Sequence, residues 1–384
     1  MTATRRGAAL LAALLLLSGC ASAIPQPSQT VLRITPTPTP TPDPLEIFAQ
    51  QRMASMTLEQ KIRCMLMIRV PGLDGDAIAA VVAGEGLGGV ILMGDNVPDP
   101  PAALAAMTGL LHGDALLPAL VAIDQEGGVV RRIWTVEAPA AWQLRDRPAE
   151  DSRAAFTERA ALLHALGVDI NFGIVADVVG NPGSFLYDRS YGGAAADVAE
   201  RVAAAVAGEH GAVLSTLKHF PGHGAAAGDS HFAIPSTEMG LELWRELHAP
   251  PFAAGIAAGA EVVMLGHLRF TAVDAAPASL SATWVRLLRD DLGFEGVIVT
   301  DDLSMLEHSE EAEFADQAGN AVRAVAAGVT MLLYVGHVDI PAVVAAVTAA
   351  IDAGALSEAT IDDAVLRLLR LRSARGSGAE AVAG

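Results

Sequence analysis

The sequence predicts an α/β protein built on a single (β/α)8 TIM-type barrel, because eight short apolar runs alternate with longer helical stretches along its 384 residues. Continuous apolar strands separated by helices are typical of a parallel sheet that is covered on both faces. Eight such units favour a closed barrel, and a doubly wound open sheet is the alternative. The predicted strands are residues 65–70, 89–93, 119–124, 168–175, 213–219, 261–266, 296–300 and 330–335.

The stretches between these runs have the length and apolar spacing of amphipathic helices. Thr57, Leu58, Glu59 and Gln60 form a capping-box sequence, which is predicted to open the helix that leads into the first strand. The other predicted helices are residues 100–111, 152–166, 197–210, 242–258, 283–292 and 310–327.

Polar residues fall at the ends of several predicted strands, which also favours a barrel. In a (β/α)8 barrel the carboxyl ends of the strands line one mouth, and active sites lie there. Polar residues scattered by chance would not keep this register. The residues are Asp124 at the third strand, Lys218 and His219 at the fifth, His267 at the sixth, and Asp301 and Asp302 at the seventh.

The first twenty residues are typical of a secretory signal peptide, with Arg5 and Arg6 ahead of the apolar run 8–17. That run is too short to cross a hydrocarbon core of roughly 30 Å as a helix. Leu17-Ser18-Gly19-Cys20 resembles the bacterial lipoprotein box. We therefore expect a lipoprotein-type signal peptide over residues 1–20, lipidation of Cys20 and an anchor on the outer face of the bacterial cell membrane. The alternative is ordinary cleavage near residues 21–23, with Cys20 discarded.

Residues 21–44 are predicted to be a Pro/Thr-rich spacer, because repeated Thr-Pro pairs cannot pack a core and favour extended polyproline geometry. The folded barrel is predicted over residues 45–375, followed by a flexible tail over 376–384. Cys64 is the only cysteine besides Cys20, and it lies in an apolar run. With Cys20 lipidated, we expect no intrachain disulfide and a buried thiol at Cys64.

The composition indicates one large globular domain with an acidic surface. Hydrophobic residues make up 52% of the chain, which is enough for a sizeable core. The 25 Lys and Arg residues against 44 Asp and Glu give a net charge of −19. Because phosphate binding needs basic patches, this charge argues against a nucleic-acid partner. We expect a monomer.

The segment from Lys218 to Gly224 carries His219 and His223, and Asp229-Ser230-His231 follows shortly after it. Histidine and aspartate could bind zinc, but a lysine directly before His219 disfavours a cation, and the spacing is not that of a helical histidine pair. A polar surface loop would explain Ser230 alone. Proton transfer is the favoured interpretation, because a tight turn can bring Asp229 onto His231 and fix its tautomer.

Asp301 and Asp302 follow the seventh apolar run. A carboxylate at the end of a buried strand is rigid and partly desolvated, as a nucleophile for an anomeric carbon must be. An aspartate here could instead cap the following helix. We expect both, with Asp301 facing the mouth and Asp302 capping or supporting it.

Asp124 opens a third segment, Asp-Gln-Glu-Gly-Gly, which continues to Arg132. A carboxylate at a strand end can accept hydrogen bonds from two neighbouring sugar hydroxyls. The paired glycines allow the backbone to approach a ligand closely. Alone, this motif would be weak, because many turns look like it.

Together, the three segments resemble the β-N-acetylhexosaminidase branch of glycoside hydrolase family 3 in order and spacing, from Leu45 to Arg372. The resemblance implies that Asp301 is the nucleophile and that His231, oriented by Asp229, is the general acid/base. It also implies that no metal or organic cofactor is needed. The implied substrate-binding residues are Asp124, Arg132, Arg189 in an Arg-Ser-Tyr-Gly segment, Lys218, His219 and the mouth-lining His267.

Members of the family that act as β-glucosidases usually take their acid/base from a second, C-terminal domain, which we do not expect here. The resemblance therefore favours retaining hydrolysis of terminal β-linked N-acetylglucosamine, from peptidoglycan fragments or chitin-type oligosaccharides. The alternatives within the family are a β-N-acetylglucosaminide phosphorylase and a β-glucosidase. From another class, a non-catalytic envelope carbohydrate-binding lipoprotein could use the same barrel.

Overall fold

The computed structural model describes residues 43–114, 116–135 and 138–376. The predicted signal peptide with Cys20, the predicted spacer up to residue 42, and residues 377–384 of the predicted tail lie outside the described residues. Pro44, which was predicted to end the spacer, is the first residue of a helix with Asp43 as its N-cap, because a proline fits the first helical turn.

The eight predicted strands are all present and form one parallel sheet. Its spatial order is β8-β1-β2-β3-β4-β5-β6-β7, which is the chain order with the last strand placed beside the first. The strands are β1 Leu66–Ile68, β2 Gly89–Leu92, β3 Leu120–Ile123, β4 Ile170–Val175, β5 Leu214–Phe220, β6 Val262–Leu265, β7 Val297–Thr300 and β8 Leu332–Tyr334.

The sheet closes between β7 and β8. The Met331 N–H donates to the Ile298 carbonyl at 3.0 Å, and the Thr300 N–H donates to the Met331 carbonyl at 3.1 Å. On the other side, β8 pairs with β1 in parallel, with Leu332 opposite Leu66. The fold is therefore a (β/α)8 barrel, and the doubly wound open sheet is wrong.

Thirteen α-helices lie in the described part of the chain, and the predicted capping box is confirmed at the second. There the Gln60 N–H donates to Thr57 Oγ1 at 3.3 Å, and the Thr57 N–H donates to Gln60 Oε1 at 2.9 Å. The helices are α1 Pro44–Ala54, α2 Leu58–Cys64, α3 Gly75–Glu85, α4 Leu104–His112, α5 Ala149–Ala165, α6 Ala195–Glu209, α7 Leu241–Leu247, α8 Ala249–Ala257, α9 Ala282–Arg286, α10 Ser304–Glu307, α11 Gln317–Ala327, α12 Ile340–Asp352 and α13 Glu358–Arg375.

Three predicted helices differ from the structure in ways that the backbone explains. The helix predicted over 242–258 breaks at His248, because the two following prolines lack N–H donors and fit only the first turn of a new helix. The helix predicted over 283–292 continues beyond α9 as one π-helical turn, Leu287–Asp291. The helix predicted from 310 begins at Gln317, since Glu310 has a left-handed φ of 60°.

An aromatic cluster supports the carboxyl end of β5. The ring of Phe220 contacts those of Trp244, Phe252 and Trp284 edge-on, with centroids 5.2 to 5.9 Å apart. Trp244 Nε1 also donates to the Pro221 carbonyl at 2.7 Å. Interior packing of this density fixes the backbone directly after the strand, where the predicted histidine-rich segment lies.

Cys64 is buried, as predicted, and its sulfur accepts a hydrogen bond from Arg372 Nη1 at 3.3 Å. Within the described residues, no helix combines the length and the apolar character needed to span a membrane.

Candidate active site

A cavity of about 230 Å³ lies at the carboxyl ends of the barrel strands and contains most of the predicted site residues. A larger cavity of about 450 Å³ lies at the amino ends of β1 to β3 and contains none of them. The smaller cavity is lined by Ile91, Asp124, Glu126, Val130, Arg132, Phe185, Arg189, Lys218, His219, Ser230, His231, Met264, Asp301, Leu333 and Val335.

Two carboxylates and three cations form a network on one side of this cavity. Asp124 accepts hydrogen bonds from Arg132 Nη2 at 2.9 Å and from Lys218 Nζ at 3.0 Å. Glu126 lies 2.7 Å from Lys218 Nζ and accepts two hydrogen bonds from Arg189, at 2.7 and 2.9 Å. Buried charges of opposite sign that are paired in this way hold each other in fixed positions.

The network keeps its members charged. Burial acts to raise the pKa of Asp124, but Lys218 and Arg132 together lower it to about 2. Burial likewise opposes ionisation of Glu126, whereas Arg189 and Lys218 lower its pKa below the usual value. The pKa of Lys218 is raised, because Asp124 and Glu126 outweigh its desolvation. The cavity therefore presents fixed donors and acceptors that suit the hydroxyl groups of a sugar.

His219 is held by an aspartate from the neighbouring strand end. Its Nδ1 lies 2.8 Å from Asp177 Oδ2, and its backbone N–H donates to the same oxygen at 3.2 Å. Asp177 is fully buried, and His219 and His223 lower its pKa against the effect of burial. Since Nδ1 donates to the carboxylate, Nε2 of His219 is left as the acceptor, 3.4 Å from Arg189 Nη2.

Asp301 directly follows β7, and the strand fixes its backbone. Its N–H donates to the Leu265 carbonyl at 2.8 Å, and its Oδ1 accepts from the Asp302 N–H at 2.8 Å. Burial acts to raise the pKa of Asp301, but the hydrogen bond from the Asp302 N–H and the ammonium of Lys218 are among the causes that lower it. The result is an ionised, partly desolvated carboxylate, which is the state a nucleophile needs.

Asp302 turns away from the cavity and supports the loop, which agrees with the prediction for this pair. Its carboxylate accepts from the Ser304 N–H at 3.0 Å, from Ser304 Oγ at 2.6 Å and from the Val335 N–H at 2.9 Å. It thereby joins the start of α10 to the end of β8.

His267 supports the Asp301–Asp302 turn and is not among the residues that line the cavity. Its Nε2 donates to the Asp302 carbonyl at 2.9 Å, and its Nδ1 lies 2.6 Å from Ser279 Oγ. Burial lowers the pKa of His267, so the ring is neutral, and Nδ1 accepts from the serine hydroxyl.

His231 and Asp229 form the predicted pair on the loop after β5. Nδ1 of His231 lies 2.6 Å from Asp229 Oδ1, and the His231 N–H donates to the same oxygen at 3.0 Å. His231 lines the cavity although its side chain is 56% exposed, and its ring contacts Phe185 edge-on at 6.0 Å. The imidazole therefore reaches both the cavity and the solvent.

Four functional residues were not assigned from the sequence: Glu126, Asp177, Phe185 and His223. Asp177 follows the fourth strand, and the rule that polar residues end barrel strands could have found it. His223 is buried with neither ring nitrogen hydrogen-bonded, and burial lowers its pKa to about 4.

In the described part of the chain, no three His, Cys, Asp or Glu side chains are placed to hold a metal ion.

A buried amide chain holds the segment that carries Asp124, Glu126 and Arg132. The Gln125 side chain accepts from the Arg132 N–H at 2.9 Å and donates to the Ile133 carbonyl at 2.8 Å. Asn171 on β4 accepts from the Gln125 N–H at 3.1 Å and donates to Glu209 Oε1 at 2.5 Å. Burial raises the pKa of Glu209 to about 8.

A (β/α)8 barrel with a half-buried carboxylate at a strand end, an aspartate-held imidazole and a polar cavity is the arrangement of a glycosidase. The family model for the glycosyl hydrolase family 3 N-terminal domain matches residues 57–371. The chain therefore belongs to glycoside hydrolase family 3.

Relatives with similar sequences are named β-hexosaminidases. The β-hexosaminidase of Methylococcus capsulatus is 35% identical over 256 residues, which cover 64% of this chain and 75% of that protein. The β-hexosaminidase LpqI of Mycobacterium tuberculosis is 30% identical over 334 residues, which cover 83% of this chain and 84% of LpqI.

Solved structures agree with the fold. A glycoside hydrolase family 3 β-N-acetylglucosaminidase from Paenibacillus sp. superposes with a TM-score of 0.77 at 35% identity, over 86% of this chain. This chain spans 64% of the length of that protein. The structure of M. tuberculosis LpqI superposes with a TM-score of 0.75 at 29% identity and covers 85% of this chain.

Proposed function

We propose that this protein is a retaining β-N-acetylhexosaminidase that hydrolyses terminal β-linked N-acetylglucosamine. The observation that carries the proposal is that Asp301 and His231, an ionised half-buried carboxylate and an aspartate-held imidazole, line the same cavity. The names of the relatives support the amino-sugar specificity.

The first half of the reaction forms a glycosyl-enzyme. Asp124 and its cationic partners hold the sugar hydroxyls, and the imidazolium of His231 gives its Nε2 proton to the glycosidic oxygen. Asp301 attacks the anomeric carbon as the bond to that oxygen breaks, and the leaving alcohol departs neutral. Asp229 accepts a hydrogen bond from the Nδ1–H group throughout, which orients the ring.

The second half returns the enzyme to its starting state. Neutral His231 takes a proton from water at Nε2, the water oxygen bonds to the anomeric carbon, and the bond to Asp301 breaks. Because each step inverts the anomeric carbon, the product keeps the β configuration.

The test is to incubate the purified protein with an aryl β-N-acetylglucosaminide and the matching aryl β-glucoside, with Asp301→Asn as the control. We expect cleavage of the amino-sugar substrate alone and its loss in the variant. Cleavage of the glucoside alone would contradict the substrate assignment. Inactivity on both would favour a carbohydrate-binding protein.

Phosphorolysis is the second candidate, because an imidazole acid/base carries no negative charge of its own that would repel phosphate. The same assay in phosphate buffer separates the two. Hydrolysis yields free N-acetylglucosamine whether or not phosphate is present, whereas phosphorolysis yields the sugar 1-phosphate and depends on phosphate.

For the location, we propose a lipid anchor at Cys20 and a substrate derived from peptidoglycan fragments or chitin-type oligosaccharides outside the membrane. The Leu17-Ser18-Gly19-Cys20 sequence supports the anchor. We expect Cys20→Ala to move the protein from the membrane to the soluble fraction and to abolish labelling with a fatty-acid analogue. Cys64→Ala is the matched control and should keep both properties, because Cys64 is buried.

A further inference from the structure

The imidazole of His231 is held to Asp229, but this contact does not hold it to the barrel. Both residues lie on the loop between β5 and α7, two positions apart. In the described part of the chain, no hydrogen bond joins the imidazole to any other loop. Ser230 and Ile234 are buried and fix the backbone on either side, whereas the side chain of His231 is exposed. The direction of the imidazole therefore depends on a packing contact.

Phe185 supplies that contact from the neighbouring loop, between β4 and α6. Its ring is half-buried and lines the cavity. It meets the imidazole of His231 almost at a right angle, with the ring planes at 84° and the centroids 6.0 Å apart. Aromatic rings favour this arrangement because the positive edge of one ring faces the negative face of the other. The contact therefore limits how far the imidazole can tilt.

The ring of Phe185 is itself held by two further groups. The ring of His223 meets it at 76°, with the centroids 5.0 Å apart, and the guanidinium carbon of Arg189 lies 5.9 Å from its centroid. His223 is buried and neutral, because burial lowers its pKa to about 4. Arg189 is fixed in turn by two hydrogen bonds to Glu126. Phe185 therefore connects the buried ion-pair network to the imidazole on the next loop.

We propose that Phe185 is a positioning residue for proton transfer, whose ring holds the imidazole of His231 at the angle from which Nε2 reaches the glycosidic oxygen. The inference rests on the proposed function, in which His231 gives that proton. Asp229 selects the tautomer of the imidazole, whereas Phe185 sets the direction of its ring. Loss of the Phe185 ring should therefore slow only those reactions in which the leaving group needs a proton.

The test compares two substrates with small leaving groups. Methyl N-acetyl-β-glucosaminide must have its methanol protonated, whereas the fluoride of N-acetyl-β-glucosaminyl fluoride leaves without a proton. The decisive variant is Phe185→Leu, which keeps an apolar side chain and removes the ring. We expect kcat/KM for the methyl glycoside to fall about tenfold, while kcat/KM for the fluoride stays within about twofold of the wild-type value. Phe185→Tyr keeps the ring and should restore most of the loss.

Tyr187→Leu is the matched control, because Tyr187 lies on the same loop and its ring packs against Arg145 instead of His231. It should leave both kcat/KM values unchanged. Equal losses for the two substrates in Phe185→Leu would show that the ring contacts the transferred sugar or supports the loop, and would overturn the positioning role. An unchanged rate on the methyl glycoside would overturn it too.

The wild type separates this inference from the proposed function. Cleavage of the fluoride without any cleavage of the methyl glycoside would show that no acid assists the leaving group, which overturns the role of Phe185 alone. A wild type that cleaves neither substrate would overturn the proposed function and this inference with it.

Discussion

Nδ1 of His231 lies 2.6 Å from the carboxylate of Asp229, and the backbone N–H of His231 donates to the same oxygen. A single carboxylate oxygen of Asp229 thus accepts hydrogen bonds from both the Nδ1–H group and the backbone of His231. The other nitrogen, Nε2, is then left for the substrate. Burial opposes ionisation of Asp229, but its contacts with His231 lower its pKa, so the carboxylate stays charged.

The first prediction concerns this pair. We expect Asp229→Asn to lower kcat about 100-fold for an alkyl or sugar leaving group, because the amide can neither stabilise the imidazolium nor fix its tautomer. The glycosyl fluoride needs no proton to leave, so its first step should be affected far less. Steady-state and pre-steady-state rates on both substrates measure the difference.

Asp188→Asn is the control for this prediction, since Asp188 is exposed on another loop near the mouth. An equal loss of rate for the fluoride and the sugar leaving group in Asp229→Asn would contradict an acid/base role for the pair.

The second prediction concerns the buried ion pairs of Glu126. We expect Glu126→Gln to lower the free energy of unfolding by about 3–5 kcal/mol, because Arg189 loses its carboxylate partner and stays buried. Denaturant-induced unfolding measures the change. Glu150→Gln is the control, since Glu150 is exposed and its pair with Arg153 is 3.6 Å long, so the expected loss is below about 0.5 kcal/mol. Equal effects of the two variants would contradict the prediction.

The third prediction concerns Glu209 and the loss of stability as the pH rises. Its pKa is raised from 4.5 to about 8 in the folded protein, so the protein binds a proton there that the unfolded chain releases. Stability is therefore fully present below pH 4.5 and is lost as the pH rises, by about 4 kcal/mol at pH 8. Glu209→Gln keeps an acceptor for Asn171 and should remove this part of the decline. The free energy of unfolding is measured between pH 5 and pH 8, and parallel curves for both proteins would contradict the prediction.

The fourth prediction has the opposite sign and concerns Asp124. Its pKa is lowered from 3.8 to about 2, so its contribution to stability is present above pH 3.8 and is lost as the pH falls through 2. The loss amounts to about 2 kcal/mol. Asp124→Asn should flatten the dependence of the free energy of unfolding on pH in this acidic range alone. A variant that loses stability there as steeply as the wild type would show that other carboxylates carry the effect.

The strands could be predicted from the sequence because a strand that is buried on both faces of the sheet is apolar at consecutive positions. All eight runs contain a barrel strand, and only β5 continues one residue further, to Phe220. The helices were less certain, because a proline pair at 250–251 and the left-handed Glu310 are single-residue backbone effects that periodicity does not detect.

Only the site residues that lie at strand ends or within short motifs could be predicted from the sequence. Asp229 and His231 are two residues apart, so their contact follows from local geometry. Asp177 and Glu126 were missed because their partners are distant in the chain: Asp177 pairs with a histidine 42 residues away, and Glu126 pairs with an arginine 63 residues away. Only closure of the barrel brings those strand ends together.

The two reacting groups differ in how firmly they are held. Asp301 directly follows a core strand. His231, by contrast, lies on an exposed loop that follows Gly224 and Gly228 and precedes the next helix. Substitutions in that loop beyond His231 can alter which alcohol departs, while the residues around Asp124 that hold the transferred sugar are unchanged. The barrel therefore separates the residues that carry out the chemistry from those that follow the acid/base pair, and exchange of residues 232–234 offers a direct route to enzymes with new leaving-group preferences.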